Sequence, residues 1–326
     1  MTAEPAFATP ASGARPALTS VWFLELELTQ RCQLRCPSLC YADAGPTKGH
    51  GQMTCADWER LLDTAPAAGI TTVQLIGGEP TVHPDFSRLA EHALGVGLRV
   101  QVYSNLYRVT APLWELYSHP DVTLATSYYS DVAAEHDRIT DRRGSHARTR
   151  ANILRAIERG IALKVGIVDL GGPGQRADEA REEMISMGAA HVGAPDRIRA
   201  VGRAARTMGV QSNVNELCGQ CGDGRAAVSW NGDVRMCVLS RFLPSAGNVR
   251  TTRLADIFGS AAWYELLAQV PRRPQPRDGD CKPNTPCKPN QDGGDCKPAE
   301  TICEGDALVL PRISAREIRP ETGGGR

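Results

Sequence analysis

A chain of 326 residues, 41% of them hydrophobic, can bury a full core and has room for one large domain and a smaller one. Lys+Arg and Asp+Glu both count 37, so a net charge of zero gives no case for broad attraction to nucleic acid or a membrane surface, and partners must be sought in local sites. No run of about 18 apolar residues marks a transmembrane helix. Eleven cysteines without a visible export signal point to a reducing cytoplasm, where thiols serve metals or redox chemistry.

Residues 1–20, rich in Ala, Pro and Thr, read as a disordered leader. Val21 to Leu28 is apolar and β-prone, with acids alternating at Glu25 and Glu27, and predicts a strand. That strand delivers the stretch from Thr29 to Gly45, which sets Cys32, Cys36 and Cys40 within nine residues. Three thiolates on one loop can converge on one inorganic centre. A four-iron cluster takes four ligands, so three cysteines would leave one iron open to a substrate or cofactor. A zinc knuckle or a pair of disulfides is the alternative. Thr54 with Asp57 then forms an N-cap pair ahead of a helix whose apolar face is Trp58, Leu61 and Leu62. Cys55, at its start, reads as a packed thiol.

A strand–helix rhythm follows. Strands are predicted at 72–76, 98–103, 122–127, 162–169 and 190–192, and helices near 84–96, 112–117, 145–159 and 175–187. Alternation with short connections predicts a parallel sheet with right-handed crossovers. Six strands fall short of an eight-fold barrel; a partial barrel and a doubly wound sheet both fit. In either, polar residues at the C-terminal strand ends face one mouth. The second strand ends Gly77-Gly78-Glu79-Pro80, where two glycines allow close backbone approach and Glu79 offers an acceptor for an ammonium group. The next ends supply Ser104, Asn105, Ser127, Tyr128 and Tyr129, hydroxyls and an amide suited to a ribose and a carboxylate.

The cysteine loop followed by Tyr41, Gly77-Gly78-Glu79-Pro80, Ser104-Asn105, Ser127-Tyr128-Tyr129 and His136-Asp137-Arg138 resembles a radical S-adenosylmethionine enzyme, over roughly Val21 to Arg206. The resemblance implies an α/β fold, a partial (β/α)6 TIM-type barrel with a small C-terminal cysteine-rich iron–sulfur extension. It implies that Cys32, Cys36 and Cys40 hold a 4Fe-4S cluster whose open iron chelates the amino and carboxylate groups of S-adenosylmethionine. Tyr41 would lie beside the adenine; Gly77, Gly78 and Glu79 would bind the methionine ammonium; Ser104, Asn105 and Ser127 would reach the ribose or carboxylate. The chain departs from the family spacing, with three residues rather than two between the second and third cysteines, the extra one within Pro37-Ser38-Leu39.

The C-terminal third differs in composition. Cys218 and Cys221 form a C-x2-C pair, and Cys237 returns toward it if 226–230 and 233–238 make a hairpin around Asn231-Gly232, read as a type I′ turn. Such a set is a metal site, zinc or iron–sulfur. With Gly247-Asn248-Val249 and a helix around 254–258 it is similar to twitch and SPASM auxiliary-cluster extensions, which implies at least one auxiliary iron–sulfur cluster. From 271 onward a Pro-, Lys- and Asp-rich tail carries Cys281, Cys287, Cys296 and Cys303, either partly disordered or joining a cluster. The domain reading is therefore 1–20 leader, 21–212 barrel, 213–270 auxiliary domain and 271–326 tail.

The resemblance implies reductive cleavage of S-adenosylmethionine and hydrogen abstraction from a substrate by the 5′-deoxyadenosyl radical, with electrons from a donor such as flavodoxin or ferredoxin. The expected substrate is a ribosomally made peptide. Dehydrogenation or epimerisation of a sugar or nucleoside is the second reading, and a non-catalytic metal-binding protein the third.

Overall fold

The computed structural model describes residues 21–172 and 174–272. The expectations for residues 1–20 and for Cys281, Cys287, Cys296 and Cys303 lie outside those residues. Strands β1 (Phe23–Thr29), β2 (Thr72–Gly77), β3 (Arg99–Tyr103), β4 (Val122–Tyr128), β5 (Leu163–Asp169) and β6 (His191–Val192) pair in chain order, every pair parallel. Between them run α1 (Cys55–Thr64), α2 (Phe86–Gly95), α3 (Ala111–Tyr117), α4 (Ala133–Thr140), α5 (Ser145–Glu158) and α6 (Ala177–Ser186). The order of the sheet is that of six βα units wound one way.

The sequence explains the two faces of β1. Leu24, Leu26 and Leu28 join a core with Trp58, Leu61, Leu62, Phe86 and Leu89 from α1 and α2. The alternate residues Glu25 and Glu27 point to the opposite face and are also buried. Glu25 aligns with Gln74, Gln74 with Gln101 and Gln101 with Thr123, so the inner face carries a polar row across four strands. The predicted N-cap of α1 is a full capping box, Thr54 Oγ1 accepting from the Asp57 amide and the Asp57 carboxylate accepting from the Thr54 amide.

Past β6 the chain adds β7 (Asp196–Arg197), which pairs with the end of β5, and α7 (Arg203–Met208). Strands β8 (Arg225–Val228), β9 (Asp233–Arg235) and β10 (Gly247–Asn248) form an antiparallel ribbon, closed by α8 (Leu254–Phe258) and α9 (Ala261–Gln269). This ribbon extends the barrel sheet: β8 lies parallel to the free edge of β1, Phe23 aligned with Arg225 and Leu26 with Val228. The β8–β9 connection is not the predicted type I′ turn. That turn needs positive φ at both central residues, whereas Gly232 (φ +91) has it and Asn231 does not. The Gly232 amide donates to the Ser229 carbonyl and the Ser229 amide to Asp233, a three-residue loop with glycine at its left-handed position.

Candidate functional site

The C-terminal strand ends and the cysteine loop enclose a cavity of about 170 Å³. Cys32, Cys36 and Cys40 line it together with Tyr41, Gly77, Gly78, Tyr103, Asn105, Ser127 and Tyr129. Thus most of the residues singled out in sequence meet at one mouth. Among the described residues, no three His, Cys, Asp or Glu side chains are arranged to hold a single metal ion.

The charge balance of this space points to a cation-bearing group. Burial pushes the Cys32 thiol well above its ordinary pKa, and the charges of Glu79, Cys36 and Cys40 push the same way. Burial, then the neighbouring Cys40, takes Cys36 up to about 12. Cys32 and Cys36 would become thiolates on binding a positive centre, which deprotonates its ligating thiols. The loop already supplies amides to two sulfurs: Leu34 N donates to Cys32 Sγ (3.4 Å) and Ala44 N to Cys40 Sγ (3.3 Å). Asn105 Nδ2 adds a contact to Cys32 Sγ at 3.6 Å. The donor set fits an iron–sulfur cluster.

The two glycines work differently from the expectation. A Cβ on Gly77 would sit 2.4 Å from the Thr29 carbonyl oxygen, and one on Gly78 would sit 2.4 Å from that of Arg31. Gly78 N donates to Thr29 O (2.7 Å) and Glu79 N to Arg31 O (2.9 Å). The missing side chains therefore let the end of β2 close against the root of the cysteine loop. Glu79 and Ser104 are joined to each other by a hydrogen bond of 2.9 Å. Glu79 is buried behind the cavity wall, accepting from Thr81 N, Thr81 Oγ1 and Ser104 Oγ at Oε1 and from Asn105 N (2.8 Å) at Oε2. Its carboxylate organises the turn after β3, where Ser104 donates to it. Asn105 and Ser127 do reach the cavity, Ser127 Oγ sharing a hydrogen bond with Tyr103 OH at 2.9 Å. Tyr129 lines the cavity and packs against His136, ring centroids 5.2 Å apart. Asp137 caps α5, accepting from the amides of Gly144 and His146.

The extra residue of the cysteine loop is housed in a turn at 37–39 that α7 grips. Arg203 N donates to Cys40 O (3.0 Å), Arg203 Nη1 to Cys36 O (2.9 Å), Arg203 Nη2 to Ala44 O, and Thr207 Oγ1 to Pro37 O (3.1 Å). Gly202 permits the approach, since a Cβ there would lie 2.0 Å from Tyr41 O. On the other side, the Thr140 carbonyl at the end of α4 accepts from the amides of Arg35 and Cys36. Sequence reading missed α7 and α4; the only signal for α7 was a pair of glycines, Gly202 and Gly209, with six residues between them. It also missed the cavity residues Asp196 and Arg199, an ion pair of 3.0 Å. Burial raises Asp196 to about 6 against the pull of Arg199.

The second thiol set is assembled by the ribbon. Cys221 and Cys237 sulfurs are 4.0 Å apart, and Gln220 N donates to Cys218 Sγ at 3.4 Å. A hydrogen bond from Cys221, then that amide and the cations Arg225 and Arg199, draws the Cys218 thiol below its ordinary pKa. The ribbon is bolted to β1 through its acids: Arg225 Nη1 meets Glu25 Oε1 at 2.8 Å and Arg241 Nη2 meets Glu27 Oε1 at 2.5 Å. Arg241 also stacks over Tyr41 at 5.3 Å. Burial raises Glu27 from 4.5 to about 7, with Arg241 opposing and Glu25 adding to the rise. The folded state thus holds this proton more tightly than the unfolded chain. Its contribution to stability is full below about pH 4.5 and falls as pH climbs to about 7, by roughly 3 kcal/mol from the linkage of 1.36 kcal/mol per pK unit. Glu27→Gln should remove that decline between pH 5 and 7.5 in thermal unfolding; an unchanged pH profile would refute the assignment.

Comparison with known proteins agrees with this geometry. The family description "Radical SAM superfamily" matches residues 26–186, and "Iron-sulfur cluster-binding domain" (SPASM) matches residues 212–288. A PqqA peptide cyclase from Methylobacterium nodulans is 32% identical over 158 residues, 47% of this chain and 40% of that protein. A probable GTP 3′,8-cyclase from Methanothermobacter thermautotrophicus is 27% identical over 157 residues, 47% of this chain and 50% of that protein. The chain thus matches half or less of the length of these relatives. Among solved structures, Streptococcus suis SuiB bound to precursor peptide SuiA aligns with a TM-score of 0.61 at 14% identity, covering 76% of this chain and 66% of that one. Native anSMEcpe with bound AdoMet and Cp18Cys peptide aligns at 0.57 and 11%, covering 76% and 82%. With the three-cysteine cavity inside the first match and the cysteine-bearing ribbon inside the second, the protein belongs to the Radical SAM superfamily and carries a C-terminal SPASM iron–sulfur domain.

Proposed function

We propose that this protein reductively cleaves S-adenosylmethionine at a 4Fe-4S cluster held by Cys32, Cys36 and Cys40, and uses the outcome to modify a ribosomally made peptide. The observation that carries the reading is the convergence of those three thiols with Gly77, Gly78, Asn105 and Ser127 on one cavity. Family membership brings the cluster, the S-adenosylmethionine and the auxiliary iron–sulfur site. When bound, the reduced cluster supplies the electron that breaks the sulfonium carbon–sulfur bond and so yields a radical able to take a substrate hydrogen atom.

The chain's own residues do the rest. Backbone at Gly77 and Gly78 borders the methionine end, where the glycines keep side chains out of the way. Asn105 and Ser127 present an amide and a hydroxyl to the ribose or carboxylate, and Tyr41, pinned by Arg241, offers a ring face to the adenine. Cys218, Cys221 and Cys237 would hold the auxiliary cluster, which would offer an acceptor for a product electron or an anchor for the substrate. We assign residues 21–212 to the barrel and 213–270 to the auxiliary domain. Among the described residues no helix is long and apolar enough to cross a membrane, and none of the seven described cysteines is in a disulfide; a reducing cytoplasm suits both clusters.

A peptide substrate is supported by the PqqA peptide cyclases and by the fold shared with the peptide-bound SuiB structure. The second reading, a small-molecule substrate, has the probable GTP cyclase behind it. Co-expression with short open reading frames beside the gene separates them. The expected result is one peptide whose mass drops by two hydrogens only when the cysteine loop is intact; peptides of unchanged mass, with a nucleoside or sugar consumed instead, would overturn the peptide assignment.

A further inference from the structure

Beyond Cys32 from the cavity lies a second hollow of about 490 Å³, with Gln33, His83, Tyr107, Arg108, Leu113 and Arg142 among its walls. One layer of side chains separates it from the cluster thiols. Tyr107 packs with Cys32, Leu34, Ala42 and Ala44 in one apolar cluster. Gln33 Nε2 donates to Asn105 Oδ1 at 3.0 Å, and Asn105 Nδ2 reaches Cys32 Sγ. Gln33 and Tyr107 of the hollow and Asn105 of the cavity thus gather around Cys32.

Arginines gather at this hollow: Arg108 and Arg142 line it, Arg143 follows Arg142 in the chain and Arg148 approaches the ring of the wall residue Tyr107. Arg108, Arg142, Arg143 and Arg148 are exposed, and among the described residues none of the four forms an ion pair. The guanidinium carbons of Arg142 and Arg148 lie 5.3 and 4.8 Å from the Tyr107 ring centroid, so one wall residue gathers both. Arg35, also exposed, is tied to the end of α4 through its amide, one residue before Asp141-Arg142-Arg143. Asp85 and Asp141 border the patch and leave it an excess of positive charge. In a chain whose net charge is zero, that excess is local.

We propose that this groove docks the reducing partner, an acidic protein that carries one electron to the cluster. The inference rests on the reading that Cys32, Cys36 and Cys40 hold that cluster. Charge complementarity selects the occupant, and contact between the groove floor and Cys32 selects its task. In the transfer the carrier is oxidised by one electron and the cluster reduced by one; no bond is made or broken. Leaving the cavity side to S-adenosylmethionine and substrate, this arrangement lets reductant arrive while the active mouth stays closed to water.

The test uses the reconstituted full chain under anaerobic conditions with reduced flavodoxin as the probe. Arg108→Glu with Arg143→Glu should slow bleaching of the cluster by flavodoxin about 10- to 100-fold, the size expected when steering charge is reversed. Rising salt should slow the wild type and leave the variant nearly unchanged. Bleaching by dithionite, and dithionite-driven formation of 5′-deoxyadenosine, should be equal in both. Arg253→Glu with Arg272→Glu changes net charge identically at a different surface and should leave flavodoxin reduction intact. Arg148→Gln, which removes a single charge, should give a smaller slowing. Equal flavodoxin rates in wild type and rim variant, or equal slowing in both double variants, would overturn the docking site. So would unaltered reduction with loss of peptide affinity, which would make the groove a peptide site. If wild type forms no 5′-deoxyadenosine with dithionite, the cluster reading itself fails and takes this inference with it.

Discussion

Replacing any one of Cys32, Cys36 or Cys40 with Ala is expected to lower reductive cleavage of S-adenosylmethionine by more than about 100-fold, because even outer partners of metal ligands are worth about 10- to 100-fold. The measurement is 5′-deoxyadenosine formed under anaerobic reduction, with iron counted on the same sample. About four irons per chain should be lost while the set at Cys218, Cys221 and Cys237 retains its own absorption. The two effects have one cause: burial and the neighbouring charges make Cys32 and Cys36 unfavourable as thiolates until a cationic centre joins them. Cleavage that survives in all three variants would sink the proposed role of this loop.

The second large effect needs no change in any ligand. Gly77→Ala places a methyl carbon 2.4 Å from the Thr29 carbonyl oxygen at a backbone φ of +138°. Neither neighbour is the flexible end of a side chain, so either β1 or the root of the cysteine loop has to shift. Overpacking costs about 1–3 kcal/mol and the unfavourable dihedral about as much again. Gly78→Ala meets the Arg31 carbonyl oxygen at 2.4 Å and Ala44 Cβ at 2.8 Å without the dihedral penalty, so its destabilisation should be smaller. Both variants should take up less iron on reconstitution with every cysteine present, Gly77→Ala the more so. Full iron content with a normal unfolding temperature in Gly77→Ala would show that the close approach is not required.

What the sequence revealed, and what it hid, follows from the range of the interactions. The cysteine loop is legible because its three ligands lie in nine residues, and the parallel sheet because apolar runs alternate with amphipathic ones at short spacing. The capping box at Thr54 is equally local. Gly77-Gly78 was read as an approach for a ligand, but the carbonyls it must admit belong to Thr29 and Arg31, on a different strand and loop. Glu79 is read as a ligand from its place at a strand end, while its four internal partners, from Thr81, Ser104 and Asn105, become visible only when β2 and β3 are side by side. The turn at Asn231-Gly232 was placed correctly and typed wrongly, since Asn-Gly serves two loop geometries that differ by one residue. No local pattern could announce that Arg203 and Thr207 clasp a loop more than 160 residues earlier.

The alignment of β8 with β1 sets a schedule for making this protein. Phe23 and its partner Arg225 are 202 positions apart by their residue numbers, and a ribosome adding about 5–20 residues each second takes roughly 10–40 s to cover that gap. Throughout that interval the first strand waits in the growing chain with one edge unclaimed, and an open edge invites pairing with the wrong neighbour. Glu25 and Glu27 give the waiting strand two negative charges that an intruding apolar strand would have to bury. When the late arginines arrive, the same charges become the welcome for the correct one. The acids that later lock two iron–sulfur regions together thus first act as guards during synthesis, and cluster delivery is best timed after the last ribbon strand has emerged.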